Sequence, residues 1–443
     1  MIRTGLCSNP REYLLREYRR LGVLMCLIWV ASVPLPVRAG ISPIIADVDS
    51  ARAGGPAVPL IRFYQKYISD LRYGRCRFEP SCSQYALEVV EDRGLLIGSA
   101  LAADRLIRCN ASAWKNYSRG STGRLSDPAR GRGPIAPVPV VPEWLLPDLP
   151  LTLPVSQPGR IREYARFAEK LAESGDCDRA ITEYQRVAFL APERDVLFWS
   201  RVKAGSCHFR VRAWPAAEAE LLSGIPLARD GSDRDALRLM VGASRFNSGD
   251  YRGCEAILDR CESPLIPRAG DSSPDGLDDS GDGRGRLCEQ RLSEKRLLMK
   301  GLCACAEGDW NEGVADFRAV PERYPGSSFG EHANYLARCA SEGDQVARKS
   351  PALASGMSAV VPGLGQAYCG RFMDGLRHLV FDGILIYEVY RLIDHDNYPG
   401  AYLMAGIALP FYMGNVVGAR RSAERFNRAK RSEFLVSVME GVE

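Results

Sequence analysis

Histidine is scarce in this sequence: four residues, at 208, 332, 378 and 395, serve a chain of 443. None falls in an HExxH pair, and paired CxxC, Walker and GxGxxG spacings are also missing, so no metalloprotease or nucleotide-binding site can be assembled from motifs. No enzymatic activity and no cofactor are expected. Cysteine is thin as well, since fourteen residues cannot carry a disulfide-built scaffold of this length. The core must come from packing. Charge of one sign is also lacking: 58 basic against 54 acidic residues leave +4, too weak a global field to argue for a nucleic acid partner. What the chain does have is apolar side chain, 46% of residues, over a length that fits about three domains.

Arg3, Arg11, Arg16, Arg19 and Arg20 precede an apolar run from Leu21 to Val33, followed by Pro34, Pro36 and Val37-Arg38-Ala39. That order of basic, apolar and small residues reads 1–39 as a signal peptide or an N-terminal membrane segment. Thirteen apolar residues rise about 20 Å as a helix, short of the roughly 30 Å hydrocarbon core, which favours a cleaved signal over an anchor.

From Pro59 the apolar residues Leu60, Phe63, Tyr64, Tyr67 and Ile68 recur at helical spacing, with Arg62, Gln65 and Lys66 opposite. Such an amphipathic helix, with tyrosines at the edge of the stripe and cations beyond it, suits a membrane interface; the competing reading is a helix that covers its own module's core. Between Ala57 and Arg130, 12 Lys/Arg stand against 7 Asp/Glu, a local excess that favours an anionic lipid surface.

The residues that follow resemble a known family. Tyr64 to Ser69, then Cys76-Arg77-Phe78-Glu79-Pro80-Ser81-Cys82-Ser83-Gln84-Tyr85-Ala86, then Gly94 through Gly98, and Arg105 to Arg108-Cys109-Asn110, are similar to the YidD family of membrane protein insertion efficiency factors. The resemblance spans about an eighth of the chain, and departs from the family at Asp70 and in Ala111-Ser112-Ala113-Trp114. It implies a small, non-catalytic, membrane-associated helper acting near a YidC-type insertase or translocon. Three thiols would need a fourth ligand to hold zinc, no histidine lies near Cys76, Cys82 and Cys109, and C-x5-C is not a zinc-finger spacing. They read as buried thiols, or as a source of one disulfide if the module is exported, with no metal expected.

Residues 119–160 are dense in proline and glycine and read as a linker. Beyond them GDCDRAITEYQRV, RAWPAAEAELL, GDYRGCEAILDRC and GDWNEGVADFRAV recur, with Cys177, Trp214, Tyr251 and Trp310 in register at separations of 37, 37 and 59. An insertion near 263–286, acidic and glycine-rich, accounts for the long last interval. It lacks the calcium-loop pattern and reads as disordered. Over 161–345 the pattern resembles tetratricopeptide repeats, an array of helix pairs whose groove takes a peptide or protein ligand. Cys303 and Cys305 read as core residues.

Apolar segments at 353–370, 376–392 and 402–419, closed by a tail carrying six cations against one anion over 420–431, read as a membrane hairpin over 351–431 with a cytoplasmic end. Arg377, His378, Asp382 and Glu388 would be costly in lipid unless they face a partner. The expected fold is therefore all-α: an insertion-factor module at 57–118, a tetratricopeptide-like solenoid, and a transmembrane hairpin. The expected setting is the bacterial inner membrane: a signal at the N-terminus would send the soluble domains to the outer side and make 353–370 a third span, whereas a two-helix hairpin keeps them on the cytoplasmic side, the reading favoured here, with the N-terminal segment then uncleaved or interfacial. The competing function is an envelope scaffold whose repeats bind a protein while the first module docks to lipid.

Overall fold

The computed structural model describes residues 57–68, 76–110, 113–115, 117, 119, 123–129, 139–147, 153, 157, 159–262 and 282–441. The expected N-terminal segment and most of the acidic insertion lie outside the described residues. The described residues are overwhelmingly helical, as expected, and form two compact units: residues up to Gly133 with Arg348–Asn427, and Pro134–Ala347 with Arg428–Glu443.

The first unit begins with helix α1 (Ala57–Tyr67), strand β1 (Phe78–Glu79), helix α2 (Cys82–Arg108) and strand β2 (Leu125–Ser126). β1 and β2 pair in parallel, Phe78 opposite Leu125, which draws part of the proline-rich stretch into the module. Ser81 caps α2, its hydroxyl accepting from the Gln84 N–H at 3.2 Å. α2 is not straight. Gly94 takes φ 75°, ψ 172°, a conformation open to glycine, and the second arm returns along the first so closely that a Cβ on Gly98 would lie 2.6 Å from Val90 Cα. The two family glycines thus make the turn and the contact behind it.

The second unit is a succession of helices, each packed on the next: α3 (Gly159–Glu173), α4 (Cys177–Leu190), α5 (Arg194–Arg210), α6 (Trp214–Gly224), α7 (Gly231–Asn247), α8 (Tyr251–Leu258), α9 (Asp282–Glu307), α10 (Trp310–Arg323) and α11 (Gly330–Ser341). The recurring Gly-Asp turn has a physical role. Gly175, Gly249 and Gly308 end their helices at positive φ, and Asp176 and Asp250 cap the next helix through their carboxylates. Three residues after each register position stands a small buried residue, Ala180, Ala217, Cys254 or Gly313, and seven after it a large one, Tyr184, Leu221, Leu258 or Phe317. Small against large lets neighbouring helices approach while filling the space between them. Cys303 and Cys305 are both 1% exposed and belong to the core. Val141 and Leu145, from the proline-rich stretch, are buried in the same cluster.

The chain then forms α12 (Pro351–Val360), α13 (Leu364–Tyr368), α14 (Phe372–Asp394) and α15 (Tyr398–Glu440). The apolar segment at 353–370 is broken at Val361–Gly363. Its freed backbone groups are satisfied by side chains: Gly363 N–H donates to Asn415 Oδ1 at 2.9 Å, Gly365 N–H to Ser358 Oγ at 3.0 Å, and Asn415 Nδ2 to Ser358 O at 2.8 Å. Among the described residues one helix, α15, is long and apolar enough to cross a membrane. α14 has the length but carries Asp374, Arg377, Asp382, Glu388 and Arg391.

Candidate functional site

α1 has two apolar faces, and the structure separates them. Val58 is buried and Ile61 half-buried against Leu87 and Val90 of α2, whereas Leu60, Phe63, Tyr67 and Ile68 are exposed, Leu60 to 69%. Tyr64 is half-buried. The stripe singled out in the sequence is therefore not what covers the module's core. Lys66 lies over the Tyr67 ring at 5.2 Å, and Arg62 reaches Glu91 at 3.5 Å while staying solvent-accessible. Leu95, Leu96 and Ile97, at the elbow of α2, are exposed too, and so is Leu106 on its second arm.

Behind this surface the family motif ties itself into a knot. Arg105, fully buried, is sandwiched by the rings of Phe78 (4.4 Å) and Tyr85 (4.2 Å), and donates to the carbonyls of Asp127 at 2.5 Å and Pro80 at 2.6 Å. Arg108 donates to Asp104 Oδ2 at 2.8 Å and Asp127 Oδ2 at 2.9 Å, and meets the Tyr117 hydroxyl. Burial would raise the Asp127 pKa, but Arg108, Arg425 and Arg105 outweigh it and hold the carboxyl down to about 2. Ser83 pairs with the Ser81 hydroxyl, and the exposed Arg77 contributes its carbonyl, which accepts from Leu125 N–H at 2.8 Å. Asn110 bridges the Ile107 carbonyl (3.1 Å) and Asp374 Oδ1 (3.4 Å).

The knot continues into residues far away in sequence. Tyr117 OH accepts from Arg371 Nη2 at 3.2 Å and Arg425 Nη1 at 2.5 Å, Arg425 also reaches Asp127 Oδ1 at 3.1 Å, and Arg421 donates to Tyr85 OH at 2.8 Å. His378 stands between Asp382 (Nδ1 to Oδ2, 3.4 Å) and Asp104 (Nε2 to Oδ1, 3.8 Å). Four arginines, 105, 108, 371 and 425, thus pair with three aspartates, 104, 127 and 374, and His378 adds Asp382. α15 comes close enough to α2 that a Cβ on Gly414 would lie 2.6 Å from the Ala100 carbonyl. Sequence reasoning flagged His378 and Asp382 only as groups needing partners and read Arg421 and Arg425 as tail charge; Asp104, Tyr117, Asp127, Arg371 and Asp374 it missed. The available signal was acid and base in apolar surroundings, but pairing across some 250 residues has no local trace.

α14 is inverted relative to a soluble helix. Asp374, His378 and Asp382 point inward and are at most 3% exposed, while Phe372, Leu376, Val380, Ile384 and Tyr387 form the opposite, exposed face. Arg377 pairs with Asp374 at 3.2 Å and Glu388 with Arg391 at 2.5 Å.

The three motif cysteines also meet. Cys76 Sγ lies 3.4 Å from Cys82 Sγ and 3.7 Å from Cys109 Sγ, and accepts from the Cys82 backbone N–H at 3.2 Å. All three are half-buried, beside Phe78. The three thiols share their protons: hydrogen bonds from Cys109 and Cys82 lower the pKa of Cys76 against the effect of burial, and the same contacts raise those of Cys82 and Cys109.

Comparison with known proteins covers this module. Residues 56–118 match the YidD family, described as membrane protein insertion efficiency factors. The chain is 51% identical over 60 residues to the insertion efficiency factor of Thermotoga neapolitana, covering 76% of that protein and 14% of this chain. With the Rubrobacter xylanophilus protein identity is 45% over 78 residues, 99% of that protein and 18% of this chain. With that of Moorella thermoacetica it is 58% over 50 residues, 71% of the relative and 11% of this chain. No solved structure matches the chain.

Proposed function

Because the chain belongs, through residues 56–118, to the YidD family of membrane protein insertion efficiency factors, we propose that it assists insertion of integral proteins into the bacterial inner membrane without catalysing a reaction. One observation carries the reading: the family module is tied by Arg108, Tyr117 and Asp127 to helices whose interior is charged and whose surface is apolar. That polarity fits lipid surroundings, where ionisable groups face protein. With 23 residues α14 is about 34 Å long, enough to span beside α15.

The same contacts support a topology. The module meets the start of α14, at Arg371 and Asp374, and α15 at Arg421 and Arg425, so it stands at the two-ended base of the hairpin, with the 395–397 turn opposite. The basic stretch 420–431 lies at that base, which supports a cytoplasmic module by the positive-inside tendency. The exposed stripe of α1 rests at the lipid interface, with Arg62 and Lys66 towards anionic headgroups. The helix array is read as tetratricopeptide-like on the strength of its repeated small-large register, with a peptide or protein as ligand. A YidC-type insertase or translocon is the partner expected from the family role.

The test is insertion of a reporter membrane protein in cells that carry either the wild-type chain or a Leu60→Glu, Phe63→Glu, Ile68→Glu variant. Reduced insertion at equal protein level supports the proposal. Unimpaired insertion in the variant and in a deletion of the whole gene leaves the envelope-scaffold reading in its place.

A further inference from the structure

We infer that Cys76, Cys82 and Cys109 form a binding site for a thiophilic cation of closed d shell, zinc(II) or copper(I). The three sulfur atoms lie within 4.8 Å of one another, that of Cys76 standing 3.4 Å from Cys82 and 3.7 Å from Cys109. A tetrahedral zinc with Zn–S bonds of about 2.3 Å sets its sulfurs about 3.8 Å apart, so one ion fits the triangle with small movements. Soft thiolate donors select zinc and copper(I) over magnesium or calcium.

The ligands reach the site from different elements. Cys76 precedes β1, Cys82 is the first residue of α2, and Cys109 caps its other end, so the glycine elbow of α2 is what brings the last two together. This explains why C-x5-C does not read as a zinc motif: the chelate is closed by folding, not by a local knuckle. The Cys82 N–H donates to Cys76 Sγ at 3.2 Å and so fixes that sulfur within the triangle. All three thiols are partly accessible, leaving a fourth position for water or an exogenous donor on zinc, or none on three-coordinate copper. Buried thiols such as Cys303 and Cys305 offer an ion no such entry.

The experiment uses the full chain in nanodiscs under argon, reduced with a non-thiol reagent and desalted. Co2+ is titrated first as a reporter, then displaced by Zn2+ or Cu+ in separate arms, which identify the preferred ion. The expected result is one ion per chain with a thiolate-to-cobalt charge-transfer band, lost in Cys82→Ser and kept in Cys369→Ser, a thiol elsewhere in the same unit. If Cys82→Ser does not fold, X-ray absorption on the zinc-loaded wild type decides, with three sulfur neighbours at about 2.3 Å expected. Absence of the band with all thiols reduced, its survival in Cys82→Ser, a first shell of nitrogen and oxygen only, or isolation from cells with a Cys76–Cys82 disulfide would each overturn the inference.

Discussion

Asp127→Asn removes one negative charge from a site where three guanidinium groups converge: Arg108 at 2.9 Å, Arg425 at 3.1 Å and Arg105 at 3.4 Å from its carboxylate. The asparagine keeps the shape and one acceptor, so the loss is electrostatic. At 8% exposure the carboxylate is little screened by water. At about 1.4 kcal/mol per tenfold change in proton affinity, a pKa held down from 3.8 to about 2 is worth about 2 kcal/mol at neutral pH. Stranding buried guanidiniums adds to this, with about 3–5 kcal/mol as the upper range for breaking a buried pair. A depressed carboxyl pKa gives stability that is full above the ordinary value and lost as pH falls through the folded one. The variant should therefore melt roughly 4–8 °C lower at pH 7, at about 2–4 °C per kcal/mol, with the gap closing between pH 4 and pH 2. The assay is thermal unfolding of the full chain in nanodiscs, with hydrogen exchange over 82–108 assigning the transition to the first unit. Equal melting at pH 7, or a gap that does not change down to pH 2, would refute an engaged carboxylate.

Two further outcomes follow from packing. Gly414→Ala puts a methyl 2.6 Å from the Ala100 carbonyl and should cost about 1–3 kcal/mol in the first unit's melt, whereas Gly406→Ala on the same helix, with nothing within 4 Å, should stay within about 0.5 kcal/mol. Trp199→Ala, deleting a side chain 1% exposed and set edge-on to Tyr184 at 5.2 Å, should cost about 3–5 kcal/mol, read as a lower denaturation midpoint of the second unit by circular dichroism.

What lies close along the chain was legible before any coordinates. Helical periodicity, the Gly-Asp turns that stop one helix and cap the next, and the apolar stretches all follow from preferences within a few residues, and the Cys76–Tyr85 and Arg105–Asn110 motifs carried the family. The sequence also showed that His378 and Asp382 needed partners. Tertiary structure decided what those signals could not. Periodicity shows that α1 has an apolar stripe but not whether protein covers it; packing chose Val58 and Ile61 for the module core and left Leu60, Phe63 and Ile68 outside. The elbow at Gly94 decided that Cys82 and Cys109, 27 residues apart, would meet Cys76. Tyr117, Arg371 and Arg425 became one knot because buried charge is tolerable only when paired, and the pairing is made by whichever helices the fold brings together, at any separation along the chain.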